Sequence, residues 1–363
     1  MGRFFSREYA EARARFLAAC GSRGAAIRSY PYEGFNKKLP EELAIDTARF
    51  GSAYASKILV LIAGTHGVEG FCGSACQIAA VDSVTWNALP SDLSVFLIHG
   101  LNPYGFAMLR RVDEENIDLN RNFVGDYAAL AGYNPEYHRL NAALNPARWR
   151  ETEPQEGDEE IATFIKTEGM KKFQEVVSIG QYRHSKGLFY GGGQKAWSRI
   201  ILERIIEIEF QNVCSLCVID YHTGLGTSGA GELIAFVSEI SGEYKRAVEW
   251  FGPNVKSIKS QAVNVTSVSA DVGGPIDAAF QKSDRIATFL ALEFGTVSIP
   301  TVLHALCAEN WLHHYGNLDS ALGRKIKEDL KCAFCPPEQS WENGVIGRSE
   351  DVLRQAIAGL TNS

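Results

Sequence analysis

A histidine and a glutamate three residues apart, His66 and Glu69, follow a short apolar run in the stretch KILVLIAGTHGVEG (57–70). The run 58–63 is too short for a helix and rich in β-branched residues, so it predicts a strand buried on both faces of a parallel sheet. Ligands of open α/β sheets bind beyond the carboxyl ends of such strands, where these two side chains would lie. A catalytic zinc ion commonly takes two ligands from a short spacer and a third from far along the chain, so the pair predicts half of a zinc site.

Two later apolar runs also end close to side chains that can do chemistry. After the run 213–220, strand alternation places Asp220 and His222 on one face, so either could reach a metal ion. The run 285–294 carries Glu293 near its end. Its apolar surroundings should desolvate this carboxyl group, raise its pKa and suit it to proton transfer near neutral pH. A buried glutamate neutralised by an arginine is the structural alternative.

A polar segment, LNPYGFAMLRRVDEENIDLNRNF (101–123), concentrates cations and amides between these strands. It is too rich in asparagine and proline for a simple helix or strand. We expect it near the sheet edge that carries His66, and a mixed-charge surface loop is the alternative interpretation. The side chains of interest in it are Arg110, Arg111, Asn120 and Arg121.

The elements that must position these groups alternate between strands and helices, which predicts an α/β fold with a mixed, mostly parallel sheet flanked by helices on both faces. We expect a single catalytic domain over residues 1–363. Strands are predicted at 57–63, 94–100, 213–220, 233–237 and 285–294, and helices at 69–81, 195–210 and 243–251, with a mostly helical end.

Two segments are predicted to border the site. Residues 124–180 are acidic, helix-forming and interrupted by prolines, which indicates a helical excursion that acts as a flap or cap. The following loop, QYRHSKGLFYGGG (181–193), combines Tyr190 with three consecutive glycines, as is typical of a mobile loop beside a pocket.

Composition excludes several classes of function. The chain has 363 residues, 45% of them hydrophobic and 22% charged, with a net charge of −7, which is ordinary for a soluble globular enzyme and argues against nucleic-acid binding. No apolar run reaches the roughly 18 residues of a membrane span, and no targeting segment is visible. We therefore expect a cytoplasmic protein without membrane partners, and a homo-oligomer is possible.

Eight cysteines without a secretion signal indicate reduced thiols rather than a disulfide framework. Cys214 and Cys217 lie in a predicted strand, where residues three apart face opposite ways and cannot bind one ion together. Cys332 and Cys335 close a helical stretch and could form a redox or metal pair, although structural thiols are favoured because no second close pair is near.

Five motifs in order, HGVE, NPYGF, DLNRNF, DYHTG and LEFG, resemble those of the zinc carboxypeptidase superfamily. The similarity spans about residues 57–123 and 213–296. Short loops and the brief ending also resemble the aspartoacylase and succinylglutamate desuccinylase branch, and the chain looks most like an uncharacterised bacterial branch. The resemblance implies that His66, Glu69 and His222 bind one zinc ion per chain and that Asp118 orients the ring of His66.

The same resemblance implies roles for the remaining groups. Glu293 would be the general base, and Arg111 would polarise the scissile carbonyl, with Arg110 as the alternative donor. Asn120 and Arg121 would bind a substrate carboxylate, since a planar guanidinium matches it in a bidentate way. Digestive carboxypeptidases have a lid tyrosine, and residues 265–277 of this chain contain no counterpart to it. Tyr190 could fill a similar space.

These observations predict zinc-dependent hydrolysis of an amide bond in a small molecule or peptide with a free carboxylate. One alternative is a cysteine hydrolase that uses Cys72 or Cys76 with His99, which an alkylating agent but not a chelator would inhibit. The other is a metal-free binding or regulatory protein on the same scaffold.

Overall fold

The structure is a computed structural model that describes residues 2–33, 42–83, 86–152, 154–259, 273–281 and 285–363. The strands within these ranges form one eight-stranded sheet in the order β1-β2-β4-β3-β5-β8-β6-β7. They are β1 (Ala26–Pro31), β2 (Ala44–Phe50), β3 (Lys57–Ala63), β4 (Leu93–His99), β5 (Ser215–Ser228), β6 (Gly231–Ala235), β7 (Lys256–Ser257) and β8 (Ile286–Gly295).

The centre of the sheet is parallel and its flanks are mixed. Strands β4, β3, β5 and β8 run parallel, whereas β1, β2 and β6 pair with their inner neighbours in the antiparallel direction. Strand β3 lies in the parallel centre, and all its residues after Lys57 are buried. Its apolar run therefore behaves as a two-sided buried strand, as the sequence predicts.

Helices cover both faces of the sheet. On one face, side chains of α1, α2, α8 and α11 pack with alternate residues of the strands, such as Leu59 and Leu61 of β3. On the other face, Leu202 and Ile205 of α7 pack against residues that include Val60. The predicted fold class is confirmed. The helices are α1 (Tyr9–Ser22), α2 (Gly70–Ser83), α3 (Pro103–Ala107), α4 (Pro135–Leu144), α5 (Asp158–Glu168), α6 (Met170–Ser178), α7 (Trp197–Glu209), α8 (Gly242–Phe251), α9 (Ile299–Tyr315), α10 (Ala321–Phe334) and α11 (Gln339–Asn362).

Two details differ from the sequence prediction. Strand β5 does not end before His222 but continues to Ser228, because it pairs with β8 beyond that point across a register shift. The sequence predicts helix over residues 159–179 within the segment 124–180, and the structure has two helices there, α5 and α6, separated by Gly169 with φ 89°. A left-handed residue of this kind ends a helix, and glycine adopts it without a Cβ penalty.

The segment 124–180 forms a helical layer with its own small core. Helices α4, α5 and α6 pack together through buried residues that include Tyr137, Phe164 and Phe173. The role of this layer as a flap or cap over the site stays a prediction. The single catalytic domain over 1–363 stays a prediction. Most of the segment 265–277, which has no counterpart of the lid tyrosine, lies outside the described residues.

Two expectations about the whole chain can be compared with the structure. Within the described ranges, every helix falls short of the length and apolar character that crossing a bilayer requires. All eight cysteines are free thiols. Cys217 is buried in β5, whereas Cys214 is exposed and lies just before that strand begins.

Candidate metal centre

The loop after β3 is held in place by glycines and by its neighbours in the fold. Gly64 has φ 79°, a left-handed conformation that favours glycine and turns the chain out of the sheet. A Cβ atom at Gly67 would lie 2.0 Å from the carbonyl carbon of Gly105, so only glycine fits. The amide of Gly67 donates to the carbonyl oxygen of Arg111 at 3.0 Å. This loop therefore carries His66 and Glu69 against the segment that holds Arg111.

His66, Glu69 and His222 meet at the carboxyl edge of the sheet. One ligand atom from each of the three buried side chains lies within 4.8 Å of the other two. The Nδ1 atom of His222 is 3.2 Å from both the Nδ1 of His66 and the Oε2 of Glu69. The Nδ1 of His66 is 3.0 Å from the Oε1 of Glu69. His222 is more than 150 positions from His66 and Glu69 in the chain, and the fold brings donor atoms of all three to one point.

A second ring of carboxylates sets the orientation of both histidines. The Nε2 of His66 lies 3.1 Å from the Oδ1 of Asp118, the partner that the resemblance implies. The Nε2 of His222 lies 2.7 Å from the Oδ2 of Asp220, and the Oδ1 of Asp220 accepts from the Thr65 hydroxyl at 2.8 Å. Asp220 is therefore placed to orient His222 rather than to bind a metal beside it.

This donor set fits a zinc ion. Zinc sites in hydrolases commonly use two histidines and one glutamate and leave a further coordination position open. A histidine that donates its outer N–H to a carboxylate keeps the lone pair of its other nitrogen for the metal. The Nε2 of His222 has such a partner in Asp220, whereas the Nε2 of His66 lies 3.1 Å from the Oδ1 of Asp118 and 2.8 Å from the Nη2 of Arg111. His66, Glu69 and His222 would hold the ion through their Nδ1 and carboxylate oxygen atoms.

The charges around this centre favour a carboxylate at Glu69. Burial raises the pKa of Glu69, but the charges of His66 and Arg111 and hydrogen bonds from both histidines hold it below its usual range. Burial lowers the pKa of His222, yet Asp220 and Glu69 raise it well above the usual value. A proton therefore competes with a metal ion for His222 at neutral pH.

Glu293 lies on β8 directly opposite His222 in the sheet register. Its Oε1 accepts a hydrogen bond from the amide of Leu225 at 3.0 Å. Among the described residues, no donor contacts its Oε2. Burial and repulsion from Glu69 raise the pKa of Glu293 to about 8. The arginine-neutralised glutamate considered as an alternative would instead have a lowered pKa and a salt bridge.

The structure separates the two adjacent arginines. Arg111 donates from Nη1 to the Oε1 of Glu69 at 2.7 Å and from Nε to the Oδ2 of Asp118 at 3.1 Å, and it lines the cavity at the centre. Arg110 is 1% exposed and donates to the Oε1 of Glu309 at 2.8 Å. Arg111 is thus the arginine beside the metal ligands, and Arg110 belongs to a buried ion pair.

Asn120 and Arg121 also line the cavity, but much of their hydrogen-bonding capacity is used inside the protein. The Oδ1 of Asn120 accepts from the amide of Ile276 at 2.9 Å. Arg121 donates from Nη1 to Asp118 at 2.7 Å, and its Nε and Nη2 donate to the carbonyl oxygen of Ser178 at the end of α6. Each terminal nitrogen of Arg121 keeps one further N–H for a ligand.

A cavity of about 160 Å³ is lined by the three candidate metal ligands, by Glu293 and by Arg111 and Arg121. Tyr190 does not line it, and its side chain packs against the buried apolar cluster that includes Leu202 and Val60. The neighbouring Phe189 lines it instead, with a φ of 54° that is rare for an aromatic residue. Its ring lies 5.2 Å from the guanidinium carbon of Arg111 and 4.9 Å from that of Arg121.

The thiols of the alternative cysteine hydrolase are not arranged for catalysis. Cys72 and Cys76 are fully buried in α2, and burial raises the pKa of Cys72 well above its usual value. The Nε2 of His99 lies 3.0 Å from the Ser74 hydroxyl, its ring stacks on Phe16, and burial lowers its pKa to about 4. A nucleophilic thiol needs a lowered pKa and a base in contact, whereas the pKa of Cys72 is raised and His99 contacts Ser74 instead.

Comparison with known proteins places the chain in a family. The model of a family described as "Protein of unknown function (DUF2817)" matches residues 5–348. The chain belongs to this family. No curated protein matches this DUF2817 chain.

Solved structures similar to this DUF2817 protein include a carboxypeptidase A from Helicoverpa armigera, at 13% identity and a TM-score of 0.46, covering 92% of this chain and 75% of that one. A metallo-carboxypeptidase from Burkholderia cenocepacia matches at 12% identity and 0.41, covering 88% and 68%. A succinylglutamate desuccinylase from Chromobacterium violaceum matches at 14% identity and 0.36, covering 89% and 77%. At TM-scores below 0.5 the likeness assigns no activity, which has to follow from the side chains of this chain.

Proposed function

We propose that this DUF2817 protein is a zinc-dependent hydrolase that cleaves an amide bond in a small substrate carrying a free carboxylate. The observation that supports it most is the meeting of three metal-ligating atoms, a glutamate with a raised pKa and an arginine in one cavity. When bound, zinc supplies Lewis-acid chemistry that lowers the pKa of water and polarises a carbonyl group. His66, Glu69 and His222 would hold it.

Glu293 is assigned to proton transfer. Its Oε1 is fixed by the amide of Leu225, which leaves Oε2 to accept a proton from the attacking water. A pKa near neutrality, about 8 here, lets one group accept a proton and return it to the leaving amine. This assignment explains why a carboxylate is placed on an otherwise apolar strand.

Arg111 is assigned to the carbonyl oxygen of the scissile amide. It lines the cavity beside Glu69, and a guanidinium group that faces a developing negative charge stabilises the transition state more than the ground state. Asn120 and the two remaining N–H groups of Arg121 are assigned to the substrate carboxylate. Phe189 supports both guanidinium groups through its ring face and takes the substrate-contact role that the sequence suggests for Tyr190.

The test of this proposal replaces Glu293 by glutamine and measures amine release from small carboxylate-bearing amides. Loss of a positioned general base should lower kcat by about 10²–10⁴-fold, while zinc content stays at the wild-type level. The rate of the wild type should rise with pH as Glu293 loses its proton, and this acidic limb should vanish in Glu293→Gln.

Glu232→Gln is the matched control. Glu232 lies opposite Glu293 on the neighbouring strand β6, forms an ion pair with Lys256 at 2.7 Å and does not line the cavity. It should retain the wild-type rate and pH profile. A fully active Glu293→Gln protein, or one that loses its zinc, would show that Glu293 has another role.

A further inference from the structure

The cavity around the metal centre is walled mainly by apolar side chains. Helix α6 contributes two of them, helix α9 four, and the strand side of the cavity adds aliphatic and aromatic groups. Residues that form these walls include Phe173, Val177, Val302, Leu303, Leu306 and Phe236. Pockets of this kind bind a substrate through apolar contact and reserve a few polar groups for orientation.

Positive charge in the cavity is limited and already committed. Within the described ranges, Arg111 and Arg121 are the arginine or lysine residues that line it. Arg111 contacts Glu69 and Asp118, and Arg121 contacts Asp118 and the carbonyl oxygen of Ser178. One substrate carboxylate can therefore be bound by the free N–H groups that remain. A second carboxylate would lie against the apolar walls without a partner.

We propose that the substrate carries one carboxylate and an apolar remainder, and that the enzyme discriminates against amides with a second carboxylate, such as N-succinyl or glutamate-derived amides. Val302 and Leu303 of α9 are specificity-determining positions in this view, because their side chains form part of the wall that a second charge would meet. The inference rests on the proposed amide hydrolysis.

The experiment compares three amides on the zinc-loaded wild type: N-pentanoyl-leucine, N-succinyl-leucine and N-pentanoyl-glutamate. Burial of an unpaired carboxylate is strongly unfavourable, so each dicarboxylate should show a kcat/KM lower by on the order of 100-fold than that of N-pentanoyl-leucine. Across acetyl, propanoyl and butanoyl leucine, kcat/KM should rise about fourfold for each methylene group. A dicarboxylate cleaved as well as N-pentanoyl-leucine would overturn the inference.

Variants of α9 test the wall directly. Leu303 is half-buried, so Leu303→Arg can place a cation in the cavity and should shift the succinyl-to-pentanoyl ratio of kcat/KM at least about tenfold towards the succinyl amide. Leu318→Arg, at an exposed position after α9, should leave this ratio unchanged. Val302→Thr keeps the shape of the side chain and should disturb folding less than Leu303→Arg does. It should reduce the gain in kcat/KM per methylene group. An unchanged ratio in Leu303→Arg together with an unchanged chain-length dependence in Val302→Thr would contradict the assignment.

A binding measurement separates this inference from the proposed function. Calorimetric titration of the wild type with pentanoate and with succinate, before and after removal of zinc, should show tighter binding of pentanoate. A protein that prefers pentanoate but cleaves none of the amides would refute the hydrolase and keep the apolar specificity. A protein that cleaves N-succinyl-leucine fastest would keep the hydrolase and refute the specificity.

Discussion

Replacing Asp220 by asparagine should weaken zinc binding without removing any ligand. Asp220 is fully buried, and its Oδ2 lies 2.7 Å from the Nε2 of His222 while its Oδ1 accepts from Thr65. The carboxylate holds the proton of His222 on Nε2 and so leaves the Nδ1 lone pair for the metal. An asparagine amide in its place can donate to Nε2, which reverses the tautomer and puts the proton on the metal-binding atom.

The size of the effect follows from the loss of an outer partner to a metal ligand, which typically costs 10–100-fold in metal affinity. This corresponds to about 1.4–2.7 kcal/mol. Competition with a chromophoric chelator at pH 7.5 measures the zinc Kd of both proteins. Thr65→Val is the graded control, because it removes only the hydroxyl contact to Asp220 and leaves the charge, so its Kd should rise only severalfold.

The pH dependence gives a second reading of the same interaction. Asp220 and Glu69 raise the pKa of His222 above its usual value, so zinc must displace a proton and its affinity should increase with pH through the neutral range. Without the charge of Asp220, the pKa of His222 falls and this slope becomes shallower. A zinc Kd within twofold of wild type in Asp220→Asn, with an unchanged slope, would refute the assignment of Asp220 as the partner of His222.

Two further predictions concern a buried ion pair away from the metal centre and two aromatic residues near its cavity. Glu309→Ala leaves Arg110 and Lys327 buried without their carboxylate and should lower the free energy of unfolding, measured in urea, by about 3–5 kcal/mol. Asp351→Ala removes a carboxylate from an exposed ion pair and should change this free energy by under about 1 kcal/mol. Similar losses in both variants would contradict this. Tyr190→Phe should keep the wild-type kcat/KM. Phe189→Leu should lower kcat/KM about tenfold, because Arg111 and Arg121 lose the ring that positions them. A larger loss in Tyr190→Phe than in Phe189→Leu would show that Tyr190 contacts the substrate.

Much of the site could be predicted because it depends on the ends of parallel strands. Apolar runs identify β3, β5 and β8, and neighbouring parallel strands deliver their carboxyl ends to one edge, so His66, His222 and Glu293 must come close. Alternation along β5 also places Asp220 on the face of His222. It cannot decide which of the two binds metal, since that choice depends on the Thr65 hydroxyl from another strand end.

The remaining differences arise from long-range packing. Arg110 and Arg111 are identical neighbours, and what separates them is a buried glutamate 199 positions away on α9. The continuation of β5 past His222 runs through polar and glycine residues that predict a loop, and pairing with β8 overrides this local preference. Phe189 rather than Tyr190 faces the cavity because the backbone there adopts a left-handed conformation that no residue pattern in the loop indicates.

The measurement that tests the central claim most directly is the zinc content of the purified protein, determined by elemental analysis after dialysis against metal-free buffer. The ligand set predicts about one zinc ion per chain in the wild type and an empty site in His222→Ala. It also predicts that chelation abolishes amide hydrolysis and that added zinc restores it. A wild-type protein that holds no zinc after reconstitution, or a His222→Ala protein that keeps a full equivalent, would contradict the assignment.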